Sequence, residues 1–421
     1  MVANGTDEGK NTIIEEMIAK YSEGFDGGMV DRETKASTRA VVLLTGSTGG
    51  LGTHLLQILL DLASVRRIYA FNRRGRAPLA ERQKAAFLDR GLDAKLLSSD
   101  KLVYLEGDTT SQNLGLPLDV WTEVRDMITI VIHNAWMLDF NKTMSSFEPH
   151  VKGTRNLIDL ARQGANNSGV RFMFTSSVGT GLGWDSNRGP FPEELQLTAD
   201  AAIGSGYSES KCVSERILAA SGLEATSFRI GQITGSSSNG AWATTDWVPA
   251  FVKSSIALGN FPSDPFGVVA WLPPEAIAKA IIGVGLSAEE YTSPSSLSYI
   301  RGSSAEKPSF AINLVHPRPV AWDVVISSMA GELPLIPFVN WVQQLQVRSV
   351  GATVKDIENI PAIKLLGFFK TMSDGAANVE FSTAKAQATS ESMRLLKPLS
   401  EEDVQRWMNY WREKMFLNCL Q

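Results

Sequence analysis

Two hydrophobic rhythms alternate along the chain from residue 40. Unbroken apolar runs ending in glycine or a small polar residue form the first: AVVLLTG (40–46), VRRIYAFN (65–72), KLVYLEGD (101–108), ITIVIHNA (128–135), VRFMFTSS (170–177) and ATSFRIGQITG (225–235). Such runs read as strands buried on both faces of a sheet. The second fills the gaps: LGTHLLQILLDLA (51–63), ERQKAAFLDRGL (81–92), GTRNLIDLARQGA (153–165) and YSESKCVSERILAAS (207–221). Their apolar residues recur at helical spacing. The alternation predicts βαβ units and a parallel sheet, a Rossmann-type doubly wound α/β fold.

The pattern changes at both ends. NTIIEEMIAKYSEGF (11–25) places Ile14, Met17, Ile18, Tyr21 and Phe25 on one helical face, and the polar DGGMVDRETKASTRA (26–40) reads as a linker. Beyond residue 240 the alternation loosens into Trp- and Pro-containing helical fragments, with FAINLVHP (310–317) as one more sheet strand near 311–315. We therefore expect three segments. Residues 1–39 form a helix and linker, 40–240 the dinucleotide-binding domain, and 241–421 a smaller, mainly helical C-terminal lobe that binds substrate.

Composition narrows the function by exclusion. The net charge of −5 lacks the basic excess usual in nucleic-acid binders. Two cysteines and four scattered histidines, with no pair at ligand spacing, predict neither a disulfide framework nor a metal site. No apolar run reaches the ~18 residues of a membrane span, and no basic, apolar leader opens the chain. A cytoplasmic protein without a membrane or nucleic-acid partner is expected.

The chemistry concentrates at strand ends. TGSTGGLG joins the first strand to the first helix with Gly46, Gly49 and Gly52 three apart, and Ser47, Thr48 and Leu51 between them. A pyrophosphate at a helix N-terminus meets free N–H groups and the positive end of the dipole, and glycine lets the backbone come close. The second strand ends FNRRGR, where an NAD site normally carries an acid for the ribose; arginine there accommodates a 2′-phosphate. Arg73 and Arg74, with Arg82 folding back from the next helix, therefore predict NADPH as cofactor. Asp108, beside Thr109, ends the third strand within reach of an adenine amino group. Ala135 ends the fourth strand at the same edge, and His133 before it reads as a satisfied strand histidine.

GYSESK (206–211) sets Tyr207 and Lys211 four apart, neighbours on one helical face. A nearby ammonium, together with an oxidised nicotinamide, would favour the phenolate and bring a phenol pKa of ~10 toward the working range. The order glycine loop, FTSS, Tyr-x-x-x-Lys resembles the extended branch of the short-chain dehydrogenase/reductase superfamily. Carried over residue by residue, the resemblance makes Tyr207 the acid/base, Lys211 its partner, and Ser177 the donor to the substrate oxygen, with Ser176 second choice.

Further stretches resemble a narrower group: NRRGRAPLAER, GDTTSQNLGL, VIHNAWMLDF, VKGTRNL, GYSESKCVSERIL, VAWLPPEAIAKAI and NLVHPRPVAW. Over roughly residues 40–345 they look like the thioester reductase domains that end non-ribosomal peptide synthetase-like enzymes, carboxylic acid reductases and fungal adenylate-forming reductases. That resemblance implies NADPH-dependent reduction of an acyl thioester to an aldehyde. It also implies a phosphopantetheinylated carrier domain as partner, in the same polypeptide or in trans, and a monomeric domain. Helix 12–25 would then be a remnant of the carrier junction, or a helix packed on the body. The competing readings are an extended dehydrogenase acting on a free carbonyl or nucleotide sugar, and an NADP-sensing binding module without catalysis.

Overall fold

The computed structural model describes residues 7–25, 39–164, 169–263, 267–286, 310–373 and 379–417. Its centre is a seven-stranded, all-parallel sheet in the order β3-β2-β1-β4-β5-β6-β9. The strands are β1 (Ala40–Thr45), β2 (Val65–Arg73), β3 (Leu102–Gly107), β4 (Ile130–His133), β5 (Arg171–Ser177), β6 (Glu224–Ile230) and β9 (Phe310–Leu314). Two short strands, β7 (Phe261–Ser263) and β8 (Val268–Val269), pair outside this sheet with 335–337 and 320–321. The order reverses between β1 and β4, and the crevice at such a switch point is where open α/β sheets bind ligands.

Helices cover both faces. The N-terminal helix α1 (Asp7–Ser22), α4 (Leu118–Met127), α5 (Met144–Gln163) and α6 (Gly206–Ala220) pack on one; α2 (Gly50–Asp61), α3 (Leu79–Asp89) and α8 (Pro274–Leu286) pack on the other. A third apolar cluster lies in the lobe and holds Trp242, Trp271, Trp322, Trp341, Trp407 and Trp411, six of the chain's ten tryptophans. The lobe is not one continuous stretch after residue 241. Helix α8, β9, Ala386 and Met393 return to the sheet, because their apolar side chains complete the layer beside α2 and β6.

Element ends differ from the sequence expectation for local reasons. Strand β4 stops at His133, two residues early, because the N–H groups of Asn134 and Ala135 leave the ladder and donate to Thr45 Oγ1 at 3.0 Å each. Helix α5 starts at Met144, nine residues before the expected start, and carries Pro149 in its second turn. Lying past the four partnerless N–H groups of the helix start, the proline forfeits one intrahelical bond. Helix α4 was not anticipated.

Of the two readings of the N-terminal helix, the structure supports packing on the body. Ile14, Met17, Ile18, Tyr21 and Phe25 are buried in the same cluster as Val213 and Ile217 of α6. Arg155 of α5 donates to the carbonyl of Tyr21 at 2.8 Å and lies 4.2 Å from the centre of the Phe25 ring. Lys20 and Tyr21 both bond Glu148. The expected linker at 26–38 lies outside the described residues. With α1 in place, α6 is covered on its outer side as well as its sheet side, and eleven of its residues are buried. Ile14→Ala should therefore cost about 2–4 kcal/mol in urea unfolding. A cost under ~0.5 kcal/mol, the level of an ordinary surface change, would mean that α1 is undocked in solution.

Candidate active site

The glycine loop is built by close contacts that leave no room for a side chain. Gly46 adopts φ +72°, and a Cβ there would stand 3.0 Å from Ala135 Cα. A Cβ on Gly52 would lie 2.0 Å from the Gly46 carbonyl oxygen, so the first turn of α2 presses on the loop. Gly49 caps α2 without a side-chain bond, leaving first-turn N–H groups available to an anion. These features fit a dinucleotide pyrophosphate.

Ser47 and Thr48 serve the loop's own structure. The Ser47 hydroxyl is fully buried, donates to Gln83 Oε1 at 2.6 Å and accepts from Asn72 Nδ2 at 2.7 Å; Gln83 Nε2 returns a bond to the Ser47 carbonyl. Thr48 Oγ1 bonds Asn72 Oδ1 at 3.3 Å. The Ser47 hydroxyl is thus engaged within the protein. Leu51 is buried against the α2 side of the core.

Arg73 and Arg74 are exposed at the end of β2. Arg82 departs from expectation. Its Nη2 donates to the Arg73 carbonyl at 2.9 Å and to Glu106 Oε1 at 2.5 Å, and its Nε to the Ala77 carbonyl at 3.0 Å. Through these bonds it props the arginine loop from beneath, with Nε and Nη2 engaged. Asp108 is exposed and caps its own turn: Oδ1 accepts from the N–H and hydroxyl of Thr110, and Oδ2 from Ser111 at 3.3 Å. Those bonds, the Thr110 backbone one foremost, hold its carboxyl below the usual range. Thr109 fills the space left by Gly153, where a Cβ would sit 2.6 Å from its hydroxyl oxygen; this accounts for the glycine in VKGTRNL.

Ser177, Tyr207 and Lys211 meet at the carboxyl end of β5. Ser205 caps α6 by accepting from the Ser208 N–H at 3.2 Å, and Gly206 lets the helix start butt against residues 142–144, where a Cβ would lie 2.3 Å from the Thr143 carbonyl carbon. Tyr207 therefore stands in the first turn, facing β5. Its hydroxyl faces Ser177, whose oxygen accepts from the Gly179 N–H at 3.0 Å. Burial pushes the phenol up to about 12, outweighing the opposing pull of the Ser177 hydroxyl.

Lys211 does not acidify that phenol in the way expected. Its ammonium is 2% exposed, donates to the Thr175 carbonyl at 2.5 Å, and lies 4.0 Å from the Trp136 ring centre, 4.7 Å from Phe174 and 5.8 Å from Tyr207. Burial holds its pKa well below 10.5, with Glu215 opposing. A carbonyl dipole and two aromatic faces thus support the charge. Trp136 also packs on His150 at 4.9 Å. Burial, then Lys211, lowers His150 to about 4, and the same two causes hold His133 well below its ordinary value. His133 is only half satisfied. Thr45 Oγ1 already accepts two N–H bonds, so its hydrogen goes to His133 Nδ1, 2.9 Å away; the proton then sits on Nε2, which has no partner.

Ser176, the second choice for the serine role, is committed elsewhere. Its hydroxyl donates to Glu215 at 2.5 Å. Glu215 lies one turn beyond Lys211 on α6 and takes three bonds from Arg229 of β6, the shortest 2.7 Å, with both side chains buried. Sequence reasoning missed Asn72, Gln83, Trp136, Glu215 and Arg229. Only the placement of Trp136 in VIHNAWMLDF and of Arg229 in a buried strand hinted at special roles.

Among the described residues no group of His, Cys, Asp and Glu could hold a metal, and no helix is long and apolar enough to cross a membrane. Loop, crevice and Ser–Tyr–Lys set together define a nicotinamide-dinucleotide fold. The NAD-binding family described as male sterility protein matches residues 44–281, and the chain belongs to that family. An adenylate-forming reductase, Nps11 of Serpula lacrymans var. lacrymans (strain S7.9), is 45% identical over 96% of this chain and 38% of its own length. A carboxylic acid reductase of Neurospora crassa is 29% identical over 97% of this chain and 38% of its own. The chain thus spans well under half of these relatives. Among solved structures, the terminal R domain of the myxalamid PKS-NRPS pathway superposes with a TM-score of 0.77 at 21% identity, over 97% of this chain and 100% of that one.

Gly52→Ala should remove dinucleotide binding, because its Cβ cannot coexist with the Gly46 carbonyl. Fluorescence titration of a folded Gly52→Ala protein that still bound NADPH normally would contradict this reading of the loop.

Proposed function

We propose that the chain reduces an acyl thioester, presented on the phosphopantetheine thiol of a carrier domain, to an aldehyde, with NADPH as the reductant. The observation that carries this reading is the convergence of Ser177, Tyr207 and Lys211 above the glycine cradle. The names of the relatives, adenylate-forming and carboxylic acid reductases, support the substrate class. Exposed Arg73 and Arg74, with no acid at the end of β2, support the 2′-phosphate.

When bound, the nicotinamide supplies a hydride; the remaining tasks fall to the chain. As the thioester carbonyl carbon accepts that hydride, the π electrons move to oxygen. Ser177, whose oxygen already accepts from Gly179, has its hydrogen free to donate to that oxygen. Tyr207 transfers its proton there, giving a hemithioacetal. The carbon–sulfur bond then breaks, the hydroxyl proton leaves, and aldehyde and free thiol remain. A phenol held near 12 is reliably protonated before the transfer, as an acid in the reducing direction must be. Lys211 offsets the phenolate that results.

Tyr207→Phe should leave NADPH binding intact and lower thioester reduction by roughly 10² or more, followed as NADPH absorbance. Replacing Arg73 and Arg74 by alanine should weaken NADPH by an order of magnitude or more and leave NADH almost unchanged, since charge-assisted phosphate bonds are the strong kind. Equal affinity of the unmodified chain for both cofactors would overturn the NADPH assignment. Free acids, whose delocalised negative charge repels hydride, should not be reduced; turnover of one by this chain alone would refute the thioester reading.

The pH dependence follows from Lys211. Its protonated form supports the phenolate, so kcat/KM should fall as pH rises through the lysine's depressed pKa. That alkaline limb lies below the ordinary lysine value of 10.5, while the phenol at about 12 and the neutral histidines contribute no limb there. Trp136→Leu removes an aromatic face that favours the ammonium, so the limb should move to lower pH. An unmoved limb would show that Trp136 does not support the charge.

A further inference from the structure

Strand β3 brings an acid beneath the arginine loop. In the β2–β3 register Asn72 stands opposite Glu106, and Arg73 opposite Gly107. Opposed residues of neighbouring strands share a face of the sheet, so Glu106 and Asn72 both look toward α3. Two consecutive residues early in that helix meet them. Gln83 exchanges bonds with Ser47 of the glycine loop, which Asn72 also bonds. Arg82 bonds the Glu106 carboxylate at 2.5 Å and the carbonyls of Arg73 and Ala77 at 2.9 and 3.0 Å. The start of α3 thus brackets the glycine loop and the arginine loop together. Gly75 completes the fit: a Cβ there would stand 2.8 Å from Arg82 Nε and 2.9 Å from its Cζ, so the loop backbone lies directly on the guanidinium.

Of the three acceptors that hold Arg82, only Glu106 is charged, and charge-assisted bonds are the strong ones. Both side chains of the pair are partly shielded from water. Without the carboxylate, Arg82 is a long, flexible side chain on two neutral carbonyls, and its rotamer entropy favours release. The loop at 73–77 would then lose its prop. We propose that Glu106 is a positioning residue for cofactor choice: by pinning Arg82 it fixes that loop with Arg73 and Arg74 set for the 2′-phosphate of NADPH. A loop ordered before binding need not be ordered by the ligand. NADH, which has no 2′-phosphate, should be indifferent to the arrangement. Coulomb attraction alone implies the opposite sign, since removing a carboxylate near a phosphate dianion would tighten NADPH. The direction of the effect therefore separates positioning from simple charge.

The inference rests on the NADPH reading above, and binding of the two cofactors to the full chain, followed by fluorescence titration, tests it without turnover. Glu106→Ala should weaken NADPH on the order of fivefold while NADH stays within about twofold. Glu106→Gln, whose amide oxygen can still accept from Arg82, should restore most of the NADPH affinity. In an Arg82→Ala background Glu106→Ala should weaken NADPH no further, because the prop is already gone. Tighter or unchanged NADPH binding by Glu106→Ala overturns the inference, as does an equal loss for both cofactors, the mark of a general folding role. Equal affinity of the unmodified chain for NADPH and NADH would instead refute the NADPH reading, and the inference with it.

Discussion

The buried pair between Arg229 and Glu215 is the constraint on which the rest of the site depends. Each residue belongs to a different element of the β5–α6–β6 unit, and the Ser176 hydroxyl brings in the third. An ion pair shut off from water is costly to desolvate and far costlier to break, since a lone buried charge has no alternative partner. The pair therefore tolerates little movement of α6 relative to β5. Ser177 follows Ser176 directly, and Lys211 precedes Glu215 by one turn. Whatever fixes Ser176 against Glu215 also fixes Ser177 against the Tyr207–Lys211 face. Arg229 extends the same hold to the Pro192 carbonyl at 3.1 Å and to the Phe191 ring, and so to the segment that follows β5.

A helix with so many buried residues needs cover on more than its sheet side, and α1 supplies it. Helix α6 carries a lysine, two glutamates and three serines among its buried positions. Alone on the surface of a sheet it would expose much of that face to water, weakening every electrostatic relation in it. Helix α1 closes the outer side with Ile14, Met17 and Ile18, and Glu15 bonds Arg216 of α6. The N-terminal helix is thus part of what keeps the helix of Tyr207 and Lys211 dry. The lobe adds cover of its own, with Phe368 stacked on Phe140, which in turn meets Tyr207 edge-on.

The fold was legible because its evidence is periodic. Continuous apolar runs and helical stripes repeat along the chain, and each is redundant enough to survive errors of a few residues at its ends. Where reading failed, the cause was a single long-range contact. The end of β4 depends on a threonine hydroxyl in β1, and α5 begins well before a proline that looks like a boundary. The site divides the same way. The glycine loop and Tyr-x-x-x-Lys announce themselves because their spacing is local. The bonds of Arg82 to Glu106 and the Arg73 carbonyl, and of Asp108 to the Thr110–Ser111 turn, were not legible because they form only in the folded loops. Glu215 carries no local signal, and Trp136 and Arg229 only a faint one, since their roles arise from pairs brought together by the sheet.

The electrostatic character of the site follows from how those charges are partnered. Glu215 is the acid one turn beyond Lys211 on the same face of α6, yet its oxygens are taken by Arg229 and Ser176. Its attraction for the ammonium is accordingly divided. Lys211 is left with a carbonyl oxygen and aromatic faces, partners that favour a cation without neutralising it. His150 and His133 are held neutral and do not add competing positive charge. A single positive charge thus remains uncompensated beneath the phenol, in surroundings that screen it weakly. A reaction that builds negative charge on a carbonyl oxygen and then on a phenolate develops the opposite charge where that ammonium already stands. The geometry needs no reorganisation to respond, and preorganisation of this kind is the usual source of transition-state stabilisation.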